Sequence, residues 1–166
     1  IELEPLSIQY KDFAEWQNRY FNSELLKKQE EYWLHVLSGE LPILDLPVDF
    51  QRTLQKDYAG DSITFTLNKR ITKGLTELAV DTNTTLHMVL LSVYKILLSK
   101  YSGQNDIIIG IPIAGRRHSD LDNIIGMFVN TLALRLNTDQ NMNYREILGV
   151  VKECSLQAYE NQDYQF

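Results

Sequence analysis

Residues 106–135 read DIIIGIPIAGRRHSDLDNIIGMFVNTLALR. Two apolar segments, residues 107–113 and 127–136, flank a polar connection that carries glycine and paired arginines. The first segment is short and mostly β-branched, which is typical of a strand covered on both faces. A glycine inside such a strand, Gly110, often marks the close approach of another backbone or a ligand. We therefore predict two buried strands that deliver a loop, residues 115–123, to one edge of a sheet.

The second apolar segment contains one polar side chain on its apolar face. Strand alternation places Asn130 on the same side as Phe128 and Leu132. A polar group in such surroundings must find hydrogen-bond partners or cost about 1–3 kcal/mol. Two interpretations stay open: a satisfied amide in the core, or a group that holds substrate or orders the loop.

Composition limits the classes of function. The chain has 166 residues, of which 44% are hydrophobic, enough to bury the core of one domain. The net charge is −6 and no basic stripe is present, so nucleic-acid binding is not expected. No apolar run approaches the roughly 18 residues that a membrane span needs, which predicts a soluble protein without membrane contact.

The single cysteine and the chain ends carry weaker indications. Cys154 excludes an internal disulfide and is expected to be a buried, inert thiol in a helix. A reducing, cytoplasmic setting follows from this. The chain begins with Ile1 and stops at Phe166 directly after a helix-like segment, so we expect it to be part of a longer protein.

The remaining elements follow from periodicity. Helical spacing over residues 8–37 predicts one long amphipathic helix, or two short ones that meet near residues 22–23. The prolines at 42 and 47 predict an irregular strap through residue 59. The other predicted elements are a strand at 61–67, a helix at 70–81, an interior helix from Thr84 or Thr85 to Tyr101 with Gly103 as its stop, and a helix from 143 or 144 to 159.

This order predicts an α/β layered domain whose sheet is covered by helices, with three strands and a surface for a partner. No nucleophile elbow, phosphate loop, dinucleotide fingerprint or zinc spacing is present. The pair Asp120 and Asp122 indicates a solvated turn, and the pair Arg116 and Arg117 more often indicates a solvated surface than an anion site. The isolated histidines are interpreted as structural; they are His35, His87 and His118.

Four blocks of sequence resemble a known family. Residues 8–17 (IQYKDFAEWQ), 32–49 (YWLHVLSGELPILDLPVD), 125–135 (IGMFVNTLALR) and 161–164 (NQDY) are similar, in order, to blocks of the condensation domains of nonribosomal peptide synthetases. The third block is the most specific. The family usually continues the last block with proline and phenylalanine, whereas this chain has Gln165 and Phe166. The paired-histidine block that carries the family's catalytic histidine is absent, and in the family order it would precede Ile1.

The resemblance implies a partial chloramphenicol acetyltransferase-like fold. In the family, two such halves form a V around a tunnel, and an amide bond forms between peptidyl and aminoacyl thioesters carried on the phosphopantetheine arms of carrier domains. Residues 1–60 would be the connecting helix and strap from the N-terminal half. Residues 61–166 would be the first part of the C-terminal subdomain. The expected partners are the peptidyl and aminoacyl carrier domains and the missing N-terminal half.

The resemblance also implies residue roles. The candidate channel residues are Gly115, Arg116, Phe128, Asn130 and Thr131. The structural motif residues are Tyr10, Asp12, Trp16, Asn161, Gln162 and Asp163. No catalytic residue, metal site or directly bound cofactor is expected in this chain. The sequence Phe-Val-Asn-Thr-Leu at residues 128–132 resembles that of condensing members of the family more than that of epimerising members.

Three hypotheses follow. In the first, the intact parent is a condensation domain and residues 1–166 alone are inactive. In the second, the chain is a non-catalytic module that docks a carrier domain or a complementary half. In the third, it is a trimeric acyltransferase-like subunit that uses one of its three histidines at an interface.

Overall fold

The computed structural model describes residues 5–50, 55 and 58–165. Its helices are α1 (Tyr10–Tyr20), α2 (Glu24–Val36), α3 (Lys69–Asp81), α4 (Leu86–Ser102) and α5 (Tyr144–Glu160), with a short 3₁₀ turn at Ser119–Leu121. Two strands, β1 (Asp106–Ile113) and β2 (Asn130–Asn137), pair with each other in the described part of the chain. The loop that joins them carries the 3₁₀ turn.

The N-terminal region forms two helices, which confirms the second of the two predicted alternatives. The Ser23 hydroxyl accepts a hydrogen bond from the Leu26 amide at 3.3 Å and so caps the N-terminus of α2. At the start of α1 the Asp12 carboxylate accepts from the Gln9 amide at 2.8 Å, as in a capping box. The break between the helices therefore lies where Ser23 supplies a cap.

The end of α2 is fastened by a side chain from β2. The Arg135 guanidinium donates to the carbonyl oxygens of Val36 (3.2 Å), Ser38 (2.8 Å) and Glu40 (3.1 Å). The Val36 carbonyl is among the last of α2, which have no partner within the helix, so the guanidinium satisfies it and complements the helix dipole; its other two bonds hold the chain that follows α2.

Helix α4 has the predicted ends but not the predicted surroundings. The Thr85 hydroxyl accepts from the Met88 amide at 3.2 Å, and Gly103 ends the helix with a φ of 71°. The interior position predicted for this helix is wrong. One face, which includes Met88 and Val89, is buried, whereas the opposite face, which includes Leu90 and Val93, is exposed.

The strand predicted at residues 61–67 is also wrong. These residues have no assigned strand, and the side chains of Ile63 and Phe65 are 93% and 78% exposed. An alternating pattern makes a strand only where a neighbouring strand accepts and donates its backbone hydrogen bonds. Within the described residues only β1 and β2 pair in this way. The second strand likewise begins at Asn130 rather than at residue 127.

The chain divides into two compact units. The first comprises Ile1–Leu41, Ile108–Arg135 and Cys154–Phe166, and the second comprises Pro42–Ile107 and Leu136–Glu153. The division predicted at residue 60 stays a prediction. In the first unit, the thiol of half-buried Cys154 donates to the Arg135 carbonyl oxygen at 3.8 Å. None of the described helices combines the length and apolarity that a membrane span requires.

The second unit buries a charged side chain. Lys95 on α4 is 1% exposed and its ammonium donates to the Thr138 hydroxyl. Burial lowers the pKa of Lys95 from the ordinary 10.5, and the negative charge of Asp106 partly offsets that effect.

The lowered pKa of Lys95 predicts a pH dependence of stability. Between its folded pKa and 10.5 the unfolded chain binds more protons, so the free energy of unfolding rises as the pH rises through that window. We expect Lys95→Met to flatten this rise in urea-unfolding curves, whereas Lys100→Met, at an exposed position of the same helix, keeps it. If the free energy of unfolding rises equally steeply with pH in Lys95→Met and in the wild type, Lys95 is not the source of the pH dependence.

Candidate functional site

A cavity of about 580 Å³ lies within the first unit. Three segments that are distant in sequence line it: residues 8–20 with α1, the loop and the start of β2 between 115 and 130, and the segment 162–165. The lining residues are Ile8, Asp12, Phe13, Trp16, Gln17, Tyr20, Gly115, Arg117, His118, Leu121, Met127, Phe128, Asn130, Gln162, Asp163 and Gln165. Three of the four blocks singled out in the sequence thus meet at one place.

Aromatic rings form one wall of the cavity. The ring centroids of Phe13 and Phe128 are 4.7 Å apart, and Tyr10 meets Phe128 edge-on at 5.3 Å. Trp16 stacks on Tyr20 at 5.1 Å. Such pairs contribute about 0.5–1.5 kcal/mol beyond the area they bury. The Tyr10 hydroxyl also donates to the Met127 carbonyl oxygen at 3.1 Å, which joins α1 to the loop.

The loop between β1 and β2 is held together by one of its own side chains, Arg116. The Arg116 guanidinium donates to the carbonyl oxygens of Leu121 and Ile124, the latter at 2.9 Å, and lies 4.1 Å over the Phe128 ring. Arg116 is half-buried, so the solvated-surface interpretation is wrong for it. It supports the wall from behind, since it is not among the residues that line the cavity. The neighbouring Arg117 lines the cavity and forms an ion pair with Asp163.

Asn130 is a satisfied amide. Its Nδ2 donates to the carbonyl oxygens of Gln162 (3.0 Å) and Tyr164 (2.9 Å), and its Oδ1 accepts from the Thr131 amide at 2.8 Å. The side chain therefore fastens the segment 162–164 to β2. Thr131 itself is exposed, and its Cγ2 would lie 3.3 Å from a Cβ added at Gly110, so a side chain makes the close approach there.

The segment 161–164 is held by α1 and α2 as well. The Trp33 indole donates to the Asn161 carbonyl oxygen at 2.8 Å. The Asp163 carboxylate accepts from the Tyr20 hydroxyl at 3.4 Å and from the Gln29 amide at 3.0 Å. Burial, together with the negative charge of Asp163, raises the pKa of Tyr20 above its usual 10.0, so the phenol stays protonated as a donor.

The sequence did not single out Tyr20 or Gln29. A signal for Gln29 is present, because it precedes Trp33 by four residues and so shares its helix face. A polar residue on the buried face of an amphipathic helix requires a partner. The partner itself could not be read from the sequence, since Gln29 and Asp163 are 134 residues apart.

One of the three histidines lines the cavity. His118 lines the cavity, with its Nδ1 accepting from the Asp120 amide at 3.3 Å, whereas His35 and His87 do not line it. Among the described residues no three His, Cys, Asp or Glu side chains are placed to hold a metal ion.

The sequence matches a family model described as "Condensation domain" over residues 1–166. The chain belongs to the condensation domain family. It is 53% identical over 164 residues to gramicidin S synthase 2 of Brevibacillus brevis, covering 99% of this chain and 4% of that protein. It is 49% identical over 165 residues to tyrocidine synthase 3 of Brevibacillus parabrevis, covering 99% and 2%. The chain therefore spans only a few per cent of the length of these relatives.

Solved structures agree on the fold. The X-domain from teicoplanin biosynthesis superposes with a TM-score of 0.89 at 22% identity, covering 99% of this chain and 38% of that chain. A four-domain nonribosomal peptide synthetase, holo-AB3403 bound to AMP and glycine, gives 0.80 at 30% identity, covering 88% and 11%. The predicted fold class, α/β and chloramphenicol acetyltransferase-like, is confirmed.

Proposed function

We propose that the parent of this chain forms amide bonds between carrier-bound peptidyl and aminoacyl thioesters, and that the segments 8–20, 115–130 and 162–165 supply a wall of its substrate passage. One observation carries the proposal. Three blocks that resemble the family's motifs, the first of which precedes the other two by more than a hundred residues, converge on one cavity with an aromatic wall and a polar edge. The identity of 53% to gramicidin S synthase 2 and of 49% to tyrocidine synthase 3 also supports this proposal.

The proposed role of this wall is positioning. Phe128 gives an apolar surface, Asn130 and Asp163 fix the polar edge, and Gly115 lets the loop pass close to Phe128. Orientation of two tethered reactants contributes about 7–11 kcal/mol in favourable cases. The imidazole that handles the proton would come from the family's paired-histidine block, and the phosphopantetheine arms of the two carrier domains would present the thioesters. Residues 1–60 and 61–166 would be the connecting strap and the first part of the C-terminal subdomain.

Filling the cavity tests the proposal. In the intact parent with its loaded carriers, we expect His118→Trp to lower the rate of amide formation by about ten-fold or more, because the indole occupies the substrate's space. His118 is exposed at the cavity edge, so the larger side chain costs little stability. Asp120→Trp, an exposed neighbour that does not line the cavity, is the matched control and should keep the rate.

His118→Ala separates the alternatives. We expect it to retain the rate within about three-fold, because the proposal gives this imidazole no proton to transfer. A complete loss would favour the acyltransferase-like subunit with its own histidine. Wild-type parent that binds carriers but forms no amide would favour the docking module instead.

A further inference from the structure

Gln29 on α2 uses every hydrogen-bonding position of its amide, although it does not line the cavity. Its side chain is 7% exposed. The Nε2 donates to Asp163 Oδ2 (3.0 Å) and to the Tyr20 hydroxyl (3.3 Å). The Oε1 accepts from the main-chain amides of Asp163 (3.0 Å) and Tyr164 (3.1 Å). A primary amide has two donor hydrogens and two acceptor lone pairs, so all four are occupied.

Asn130 on β2 complements Gln29. Gln29 binds two main-chain N–H groups of the segment 162–164, and Asn130 binds two of its carbonyl oxygens, those of Gln162 and Tyr164. We call this arrangement the amide clamp. The segment is a turn without helix or strand, so these four hydrogen bonds from Gln29 and Asn130 hold its backbone in place.

The clamped segment forms the polar edge of the cavity. Gln162 and Asp163 line it, and the Asp163 carboxylate receives three donors on Oδ2, from Gln29, Tyr20 and Arg117. A shift of the segment would therefore move the ion pair with Arg117 and change the shape of the cavity. A displacement of about 1 Å in a substrate-positioning group costs roughly 10²-fold in rate in strongly affected enzymes.

We propose that Gln29 is a positioning residue of the cavity: through the amide clamp it sets the place of Gln162 and Asp163, and so the alignment of the bound thioester. The proposal rests on the proposed function for its kinetic effect. Gln29 lies on α2, outside the cavity and outside the four blocks that resemble the family, yet the proposal gives it an influence on kcat.

Two substitutions of Gln29 in the intact parent test the kinetic effect. Gln29→Met keeps the length but removes all four hydrogen bonds, and we expect kcat to fall about ten-fold with KM within about two-fold, because alignment rather than binding is lost. Gln29→Glu keeps the acceptor for the two amides but places a second carboxylate beside Asp163.

The Gln29→Glu variant gives a pH signature. Two adjacent carboxylates raise the pKa of one of them, so as the pH falls a shared proton replaces the lost donor. We expect the rate of Gln29→Glu, relative to the wild type, to recover as the pH falls, whereas Gln29→Met, which adds no titrating group, follows the wild-type profile at a lower level. Parallel profiles for Gln29→Glu and wild type would overturn the positioning role.

A readout that is independent of amide formation separates the two proposals. Hydrogen-exchange mass spectrometry of the intact parent follows the peptide that contains the amides of Asp163 and Tyr164, and we expect faster exchange there in Gln29→Met. Unchanged exchange would overturn the clamp, and faster exchange with unchanged kcat would overturn its kinetic role. A wild-type parent without activity would refute the proposed function. The exchange measurement would still show whether Gln29 holds the segment 162–164.

Discussion

Gly115→Ala is expected to destabilise the protein by about 3–5 kcal/mol, among the largest effects of any single substitution. Gly115 has a φ of +66°, and a Cβ built there would lie 1.9 Å from the carbonyl oxygen of Phe128. Main-chain atoms cannot rotate away as a side chain does. Relief would require the loop to separate from Phe128, which is buried against Leu121 and Ile124.

Gly103→Ala is the matched control for this prediction. Gly103 has nearly the same φ, +71°, but nothing lies within 4 Å of its added Cβ. Gly103→Ala should therefore lower the free energy of unfolding only by the strain of a left-handed backbone, about 1–2 kcal/mol. Urea unfolding of both variants measures the difference. Equal losses of unfolding free energy would show that the contact with Phe128 is readily relieved.

Trp33→Ala is expected to cost about 3–5 kcal/mol, the usual range for a fully buried tryptophan. Trp33 is 2% exposed, and its indole hydrogen bond to the Asn161 carbonyl oxygen, at 2.8 Å, holds the end of α5. Trp33→Phe keeps most of the buried ring but leaves that carbonyl without this donor. We expect it to lose about 0.5–1.5 kcal/mol, the usual net contribution of one hydrogen bond.

Trp16→Ala provides the contrast on the neighbouring helix. Trp16 is 53% exposed and its main described contacts are the stack on Tyr20 and a tilted pair with Phe13. We therefore expect a loss near 1 kcal/mol. Thermal or urea unfolding of the two alanine variants should rank Trp33 well above Trp16. The reverse order would mean that Trp33 is not part of the core of its unit.

The sequence predicted the helices better than the strands, for a physical reason. Helix ends are determined by neighbours along the chain. The predicted break near residues 22–23 is where Ser23 caps α2, Thr85 is one of the two predicted caps of α4, and Gly103 is the predicted stop of α4. A strand depends on a partner that is not adjacent in sequence. The alternation at residues 61–67 therefore predicted a strand that the described chain does not pair.

The candidate site was predicted in part. Family blocks gave Phe128 and Asn130 as channel candidates and Asp163 as a structural residue, and all three line one cavity. The donors that hold Asp163 were not identified, because Tyr20 and Gln29 look like ordinary members of amphipathic helices until the segment 161–164 is brought against them. The sequence left two interpretations of Asn130 open: a satisfied core amide, or a group that holds substrate or orders the loop. Its three hydrogen bonds show a satisfied amide that fastens a main-chain segment.

The long separation between the two sides of the cavity has a consequence for synthesis of the protein. The contact between Tyr20 and Asp163 spans 143 residues. At about 5–20 residues per second, Tyr20 at the end of α1 is synthesised roughly 7–30 s before Asp163. During that interval α1 is a candidate client for a chaperone, and the pocket can close only after translation has passed Asp163.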